Sequence, residues 1–349
     1  MTRMIAYATG RTDARRIGAH KLTHINYAFA HVSPEGEAFL PDPEAPAFLA
    51  RLQALKSRNP RLKILVSVGG WGADHFSDAA LTPESRQRFA TSAAQLLDRH
   101  ALDGIDLDWE YPGQPGPGIK HRPEDKQNFT LWLQAIREHL DALSDRHGRS
   151  GEDRYLVTIA SASGEYFRHT EMDRLHVHLD WINIMTYDLF GPWSTVTGHH
   201  TGLFAPEGAS ADWPCADAAV RQHLEAGIPP EKLVLGAAFY GRSWAGVLPE
   251  GSGIGQPYER YAGEHPWSTI AREFLDAGGF RRQWDAAAQA ASLWNPETRT
   301  LISCDDPESL RAKADYVRSR GLGGIMWWEH SHDPDETLVD ALHAVLRPS

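Results

Sequence analysis

Three acidic side chains alternate with apolar ones in the run DGIDLDWEYP, residues 103–112. Asp106, Asp108 and Glu110 stand at every second position. Successive side chains of a β-strand point to opposite faces, so this pattern predicts a strand with three carboxyls on one face and an apolar opposite face. Neighbouring carboxylates repel one another and are costly to bury unpaired, so the pattern does not serve stability. It can produce a shared proton and a glutamate whose pKa is high enough for general acid catalysis.

The alternative interpretation is an exposed edge strand whose charges lie in solvent. The opposite, apolar face would then need cover of its own. In addition, Tyr111-Pro112-Gly113 interrupts the strand as a loop between a strand and a helix would. We therefore interpret the acidic run, with its strand at Gly104–Glu110, as a catalytic strand.

Composition restricts the class of protein and its partners. The chain has 349 residues, 42% of them hydrophobic and 23% charged, as is typical of a globular protein, and no apolar run approaches the ~20 residues of a membrane span. A net charge of −11 argues against nucleic acid or an anionic membrane as a partner. A neutral polymer would not be repelled. We expect a monomer.

Cysteine use and the first residues bear on the cellular compartment. Cys215 and Cys304 are the two cysteines, and their separation fits neither a disulfide framework nor a metal site. We expect two separate, buried thiols. The run Met4–Ala8 already resembles a first strand, with no charged and then apolar leader before it. The expectation is an intracellular protein, or a secreted one whose leader has been removed.

Strand-like and helix-like runs alternate along the chain, which indicates a parallel sheet with helical crossovers. The predicted strands are Met4–Ala8, Thr23–Phe29, Lys63–Val68, Gly104–Glu110, Leu156–Ala160, Trp181–Thr186, Leu233–Phe239 and Gly324–Trp328. The predicted helices are Pro46–Ser57, Pro83–His100, Pro123–Arg146, Glu165–Arg174, Asp217–Ala226, Pro307–Arg320 and Thr337–Leu346, with a short one near Asp13–Ile17. Eight such strand–helix pairs predict a TIM (β/α)8 barrel.

One stretch interrupts this alternation between the seventh and eighth strands. Residues 243–300 are rich in Gly, Pro and aromatic residues and too long for a simple loop. The sequence therefore predicts a barrel domain formed by 1–242 and 301–349, with 243–300 as a small α+β insertion.

Further motifs stand at the ends of predicted strands, where a barrel of this kind places its active site. They are Ser67-Val68-Gly69-Gly70, Met185-Thr186-Tyr187-Asp188, Tyr240-Gly241-Arg242 and Gly323-Gly324-Ile325-Met326-Trp327-Trp328. The acidic run resembles the DxxDxDxE signature of the family 18 glycoside hydrolases, the chitinases and their relatives. The other motifs resemble segments of that family in the same order, across nearly the whole chain. The insertion resembles the one that deepens the substrate cleft in one subgroup.

The resemblance implies hydrolysis of β-1,4 linkages in chitin or N-acetylglucosamine oligosaccharides, with retention of configuration. Glu110 would protonate the glycosidic oxygen. Asp108 is poorly placed to attack the sugar, so the substrate's own acetamide oxygen would attack and form an oxazolinium ion. Asp108 would stabilise that ion and share a proton with Asp106, while Tyr187 would orient the acetamide. Asp103 has the wrong parity for the ladder, and we expect it to fix the entry of the strand.

The resemblance also implies a set of substrate-binding residues: Trp328, Asp188, Arg242, Tyr7, Phe29, Tyr111, Met185, Trp71 and Trp193. Trp328 would form the floor beneath the distorted sugar, whereas Trp327 has the parity of a core residue. Asp188 and Arg242 could instead form an internal salt bridge, and Trp71 and Trp193 could be packing residues. Non-proline cis peptides are implied at Ala28–Phe29, Glu110–Tyr111 and Trp328–Glu329.

Several other features leave alternatives open. His199, His200, Glu329, His330, His332 and Asp333 have ligand-type side chains, but they lack the spacing of known metal motifs, so we expect neither a metal nor a cofactor. Phe190, Ser194 and Cys304 depart from the family pattern. The alternatives to a chitinase are an endo-β-N-acetylglucosaminidase acting on N-glycans and a non-catalytic chitin-binding lectin. The retained Glu110 argues against a lectin, and the insertion argues against an N-glycan enzyme.

Overall fold

Eight parallel strands close into a barrel in the computed structural model, which describes residues 2–275 and 277–346. Residues 1 and 347–349 of the predicted barrel domain and residue 276 of the predicted insertion lie outside this description. The strands of the described residues, in chain order, are β1 (Arg3–Ala8), β2 (His24–Val32), β3 (Ala38–Phe39), β4 (Lys63–Gly69), β5 (Gly104–Asp108), β6 (Leu156–Ser161), β7 (Trp181–Ile184), β8 (Leu233–Ala238), β9 (Tyr240–Ala245), β10 (Arg260–Pro266), β11 (Arg281–Asp285), β12 (Ala290–Asn295), β13 (Thr300–Cys304) and β14 (Gly324–Trp328).

The barrel strands follow the order β1-β14-β8-β7-β6-β5-β4-β2, and β2 pairs with β1 to close the ring. All these pairings are parallel. The predicted TIM barrel and its eight strands are therefore confirmed. The acidic strand ends at Asp108 rather than at Glu110, so Glu110 lies in the loop that follows it.

Helices cover the outside of the barrel, and one short helix lies instead in the chain between β10 and β11. In the described residues they are α1 (Ala45–Ala54), α2 (Phe76–Ala79), α3 (Pro83–Arg99), α4 (Asp125–Arg146), α5 (Met172–Leu175), α6 (Ala216–Glu225), α7 (Trp267–Thr269), α8 (Pro307–Ser319) and α9 (Thr337–Leu346). A short 3-10 helix at Ala14–Arg16 lies where one was expected. Nowhere in 2–275 or 277–346 is a helix both long enough and apolar enough to cross a membrane.

The predicted helix Glu165–Arg174 is wrong. This segment forms a 3-10 helix at Gly164–His169 and then the single turn α5. Thr170 separates them with extended backbone (φ −137°, ψ 155°), and its hydroxyl donates to the Tyr166 carbonyl. A segment this short has too little helical propensity to impose a continuous helix against tertiary packing.

Between β8 and α8, a second sheet projects from the barrel. Its five antiparallel strands lie in the order β10-β9-β13-β12-β11. The sheet begins at Tyr240 and ends at Cys304, so its first and last strands extend beyond 243–300. Cys304 at its end and Cys215 are both buried and free, as the sequence predicted.

Candidate active site

The acid-bearing strand β5 presents two unlike faces. Asp106 and Asp108 lie on the face directed into the barrel, and both are buried. Trp109, the residue directly after the strand, points to the opposite side, is 1% exposed and packs among Phe76 and Trp132, with ring centroids 5.5 and 6.2 Å away. The alternation in the sequence therefore divides the strand into a carboxyl face and an aromatic anchor.

Two glycines allow the neighbouring strand to approach this site. Gly69 has φ +132°, and a Cβ there would lie 2.0 Å from the Asp108 carbonyl oxygen. Gly70 has φ +90°, and a Cβ there would lie 2.6 Å from the Phe29 ring. The backbone N–H of Gly70 donates to the Asp108 carbonyl at 3.0 Å. Only glycine fits both positions, which explains the Gly pair after Ser67.

Asp106 lies in a closed cradle of hydrogen-bond donors. Its Oδ2 accepts from the hydroxyls of Tyr7 (2.8 Å) and Ser67 (2.7 Å). Its Oδ1 accepts from the Thr158 hydroxyl (2.6 Å) and the Asn183 amide (3.1 Å). Burial raises the pKa of Asp106, and these four hydrogen bonds act to lower it. Four donors favour the ionised form of this side chain.

Asp108 has the opposite surroundings. It is 5% exposed, and its Oδ1 has no hydrogen-bond partner. Burial raises the pKa of Asp108 well above its ordinary value, and the charges of Glu110 and Asp106 raise it further. Burial raises the pKa of both carboxyls, but four donors oppose the shift at Asp106, so a proton shared by the pair is more stable on Asp108.

Glu110 lies just beyond the strand end and is partly exposed. Burial raises its pKa to about 7, a hydrogen bond with Tyr111 opposes the shift, and the charge of Asp188 adds to it. A carboxyl with this pKa is protonated for much of the neutral range, as a general acid must be.

Asp103 lies at the entry of β5 and has the structural role predicted for it. It pairs with Lys56 at 2.7 Å and with Arg149 at 3.0 Å, and it accepts the Ile64 backbone N–H at 2.8 Å. These contacts lie at the opposite end of the strand from Asp108 and hold the strand to its neighbours.

Tyr187 and Asp188 occupy the rim beyond β7. Burial raises the pKa of Tyr187 well above its ordinary value, and the charge of Asp108 adds to the shift, so the phenol stays protonated. Asp188 has φ +57° and accepts from Arg242 Nε at 2.7 Å and from the Tyr240 hydroxyl. Burial alone would raise the pKa of Asp188, but the His200 ring, whose Nδ1 lies 3.7 Å away, and the hydrogen-bonded Arg242 guanidinium outweigh it and lower that pKa.

Asp188 and Arg242 thus form an internal salt bridge, which was one of the two alternatives for these residues in the sequence analysis. Arg242 is 6% exposed and also donates to the Tyr261 hydroxyl at 2.6 Å. A little over a third of the Asp188 side chain stays exposed (37%). That exposed edge is where a substrate could still contact the pair.

The two tryptophans at the end of β14 point in different directions. Trp327 is fully buried and stacks on Phe239 at 5.2 Å. Trp328 is partly exposed, stacks on Phe29 at 5.5 Å and lies 5.9 Å from Tyr7. Trp328 therefore faces the carboxyls and Trp327 the core.

The remaining predicted binding residues fall into two groups. Tyr7 and Met185 belong to the apolar lining of the barrel interior, and Tyr7 is 2% exposed with its hydroxyl on Asp106, so it supports that carboxylate. Trp71 and Trp193 are 66% and 61% exposed. The Trp71 ring lies edge-on to Tyr111, with centroids 6.2 Å apart, and the Arg242 guanidinium lies 5.1 Å from the Trp193 ring. All three non-proline cis peptides are present where the resemblance implied them.

Sequence reasoning missed Thr158 and Asn183 as parts of the site. Each is a polar residue with apolar neighbours on both sides in a buried strand, β6 and β7 respectively. Thr158 lies directly across from Asp106 in the sheet register. A lone polar side chain in a buried strand needs a buried partner, and this was the available signal.

The histidines of the rim have local partners. His199 lies 3.3 Å from Asp285, and His332 lies 3.3 Å from Glu329. His200 contacts the Tyr240 carbonyl at 3.2 Å. His199 and His200 thus connect their segment to strands of the second sheet, and the His332 contact lies within its own segment. Of the residues that depart from the family pattern, Phe190 packs on Trp213 at 4.8 Å, and the Ser194 hydroxyl accepts the Gly191 N–H at 3.1 Å.

The chain is similar in sequence and in fold to known chitinases and other family 18 enzymes. Chitinase A1 of Niallia circulans is 38% identical over 93% of this chain, which spans 55% of that protein's length. The solved structure of a family 18 N-acetylglucosaminidase from Paenibacillus barengoltzii is 40% identical, with a TM-score of 0.91 over 99% of this chain and 100% of that one. Chitinase ChiW from Paenibacillus sp. str. FPU-7 is 38% identical, with a TM-score of 0.93 over 99% of this chain and 33% of that one.

The family model described as glycosyl hydrolases family 18 matches residues 3–333. This range contains the acidic strand, the donor cradle and the rim residues described above. The chain belongs to the glycosyl hydrolases of family 18.

Proposed function

We propose that this protein is a chitinase that cleaves β-1,4 linkages between N-acetylglucosamine units, with retention of configuration. The observation that carries the proposal is the buried Asp108, which has a free carboxyl oxygen and lies between Asp106 and Glu110. Simple glycosidases need a second carboxylate on the opposite side of the sugar, and this strand does not supply one. The arrangement fits a substrate that provides its own nucleophile.

In this mechanism Glu110 donates its proton to the glycosidic oxygen as the bond breaks. The substrate's acetamide oxygen attacks the anomeric carbon and closes an oxazolinium ring. Asp108 passes the proton that it shares with Asp106 to that residue, and as a carboxylate it accepts a hydrogen bond from the acetamide N–H and stabilises the positive charge that develops there. The Tyr187 hydroxyl, kept protonated, donates to the acetamide oxygen and fixes its direction. Water, deprotonated by Glu110, then opens the ring from the side of the departed group.

The exposed aromatic side chains supply the binding surface. Trp328 forms the floor beneath the reacting sugar, and Trp71 and Trp193 offer flat faces on which further rings of the chain stack. Arg242 reaches from β9 to Asp188, so the second sheet contributes a wall to the same cleft. A neutral polysaccharide suits the net charge of −11, and we propose that the protein acts as a monomer without nucleic acid or membrane partners.

The test is Glu110→Gln assayed on chitin oligosaccharides. We expect kcat to fall by at least ~10²–10⁴, the value of a general acid, while oligosaccharide binding and the folded state persist. Cellulose oligomers of equal length, which lack the acetamide, should not be cleaved by the unaltered protein. A variant that retains a third of the turnover, or an inverted product anomer by NMR, would refute the proposal.

A second candidate is release of single N-acetylglucosamine units. It is favoured by the Paenibacillus barengoltzii relative, named as an N-acetylglucosaminidase, whose whole length this chain matches at 40% identity. The products from a hexamer decide between the two. Early disaccharides and longer fragments indicate a chitinase, and monosaccharide with a pentamer indicates the second activity.

A further inference from the structure

A fully buried lysine lies behind the Tyr187–Asp188 segment. Lys313, on α8, is 0% exposed. Its ammonium donates to Asp305 Oδ2 and to the Thr201 hydroxyl, each at 2.6 Å. Burial of a charged lysine is costly, so this position needs a reason beyond packing.

Asp305 joins this lysine to the end of a barrel strand. Besides Lys313, its Oδ2 accepts the backbone N–H of Ala238, the last residue of β8, at 3.0 Å. Its Oδ1 accepts the Ser309 hydroxyl at 2.7 Å. The Lys313–Asp305 pair therefore forms a fixed point between α8 and the catalytic end of the barrel.

Thr201 connects the Lys313–Asp305 pair to the segment that contains Tyr187. Its hydroxyl can donate to the Thr186 carbonyl at 3.1 Å or to Asp305 at 3.3 Å. Asp305 already accepts from an ammonium, a hydroxyl and a backbone N–H, so the single Thr201 proton is available for Thr186. The Thr186 carbonyl belongs to the peptide bond that leads directly into Tyr187.

The same loop holds the other side of the segment. The Leu189 N–H donates to the His200 carbonyl at 3.0 Å, and the His200 N–H donates to the Ser303 hydroxyl at 2.9 Å. His200–Thr201 thus contacts the chain immediately before Tyr187 and immediately after Asp188. Asp188, at φ +57°, is held in this conformation from both sides.

We propose that Lys313 and Thr201 are positioning residues for the reaction, which fix the direction of the Tyr187 hydroxyl through the Thr186 carbonyl. The inference rests on the proposed function, because it assumes that Tyr187 orients the acetamide. A misplacement of about 1 Å can cost on the order of 10²-fold in rate, so a support that neither touches the substrate nor exchanges protons can still control kcat.

The first test is Thr201→Val, which removes the hydroxyl without leaving a buried charge unpaired. We expect kcat on chitin oligosaccharides to fall on the order of tenfold, while KM changes much less. The affinity for a thiazoline analogue of the oxazolinium ion should fall by a similar factor, because that analogue reports the geometry of the transition state. Thr201→Ser, which keeps the hydroxyl, should restore both values.

Lys313→Met is the second variant, and two controls accompany the set. Thr23→Val removes a hydroxyl that bonds the Met4 backbone at the far end of the barrel (2.8 and 3.0 Å), and Lys56→Met removes one of the two cations that contact Asp103. Both controls should lose stability and keep kcat when assayed well below their melting temperatures. Lys313→Met should lose stability and, under the same conditions, kcat and analogue affinity.

The outcomes separate the two proposals. If Thr201→Val and Lys313→Met keep kcat and analogue affinity within about twofold while Glu110→Gln is inactive, the positioning role is refuted and the proposed function stands. If Glu110→Gln itself stays active, the proposed function fails. If Thr201→Ser does not restore what Thr201→Val loses, the hydroxyl is not the cause and the inference is wrong.

Discussion

The two ends of the acidic strand each carry a buried aspartate, but one aspartate contacts cations and the other lies beside carboxyls. Asp103 and Asp108 are each 5% exposed. Asp103 contacts two cations, Lys56 at 2.7 Å and Arg149 at 3.0 Å. Asp108 faces two carboxyls, and one of its oxygens has no hydrogen-bond partner.

This difference shows how one strand serves stability and chemistry at once. A buried carboxylate is tolerated where cations and donors compensate the loss of water, and otherwise it takes up a proton. The entry of the strand uses the first solution and holds the barrel together. The exit uses the second, so the carboxyls there are available for proton transfer.

The largest expected effect is on catalysis at the exit. Asp108→Asn should lower kcat by about 10²–10³, because the neutral amide cannot stabilise the oxazolinium charge. Stability should stay the same or rise, because the amide is neutral at every pH, whereas the buried carboxyl between Asp106 and Glu110 is neutral only while it holds a proton. Turnover of chitin oligosaccharides and thermal unfolding measure the two quantities. Normal kcat combined with a lower melting temperature would show that Asp108 serves stability and not catalysis.

The matching change at the entry should act on stability alone. Asp103→Asn leaves Lys56 and Arg149 without their counter-charge, although both remain partly hydrated, so we expect a loss of about 2–3 kcal/mol in unfolding free energy. Assayed at a temperature where the variant stays folded, kcat should lie within about twofold of the unaltered value, since the site is distant. Urea denaturation measures the first effect. A large loss of kcat would show that the two ends are coupled.

The parity of the strand could be predicted from the sequence because it depends only on local backbone geometry. The alternation placed Asp106 and Asp108 on one face and gave Asp103 a separate role, and the eight strands followed from the same kind of local pattern. Glycines 69 and 70 were also visible as a motif, although their reason, the Asp108 carbonyl and the Phe29 ring, was not.

The partners could not be predicted, because they come from distant parts of the chain. Lys56 and Arg149 lie 47 and 46 residues from Asp103, and Asn183 lies 77 residues from Asp106. The sheet register that brings them together is a tertiary property. For the same reason, the helix predicted at Glu165–Arg174 failed, since packing decided its conformation.

A pH profile sharpens the comparison at the exit. Burial raises the pKa of Glu110 to about 7, with Asp188 adding to the shift. The acid must be protonated to act, so kcat/KM should be constant below this pKa and fall about tenfold per pH unit above it. Initial rates on a soluble oligosaccharide between pH 5 and 9 measure this limb. A rate that is still level at pH 9 would mean that another group supplies the proton.

The smallest expected effect is the contribution of Glu110 to the pH dependence of stability. Its pKa is about 7 in the folded chain against an ordinary 4.5, so the carboxyl binds its proton more tightly when the protein is folded. The stabilising contribution is therefore fully present below pH 4.5 and is lost as the pH rises through 7. After a discount for partial exposure, the unfolding free energy of the unaltered protein relative to Glu110→Gln should fall by roughly 1–2 kcal/mol between pH 5 and 7. Urea unfolding of both proteins across this range gives the difference directly. If this difference does not change with pH, the pKa of Glu110 is the same in the folded and unfolded chain. The contrast between a carboxyl paired with cations at the entry of the strand and protonated carboxyls at its exit would then not account for general acid catalysis by Glu110.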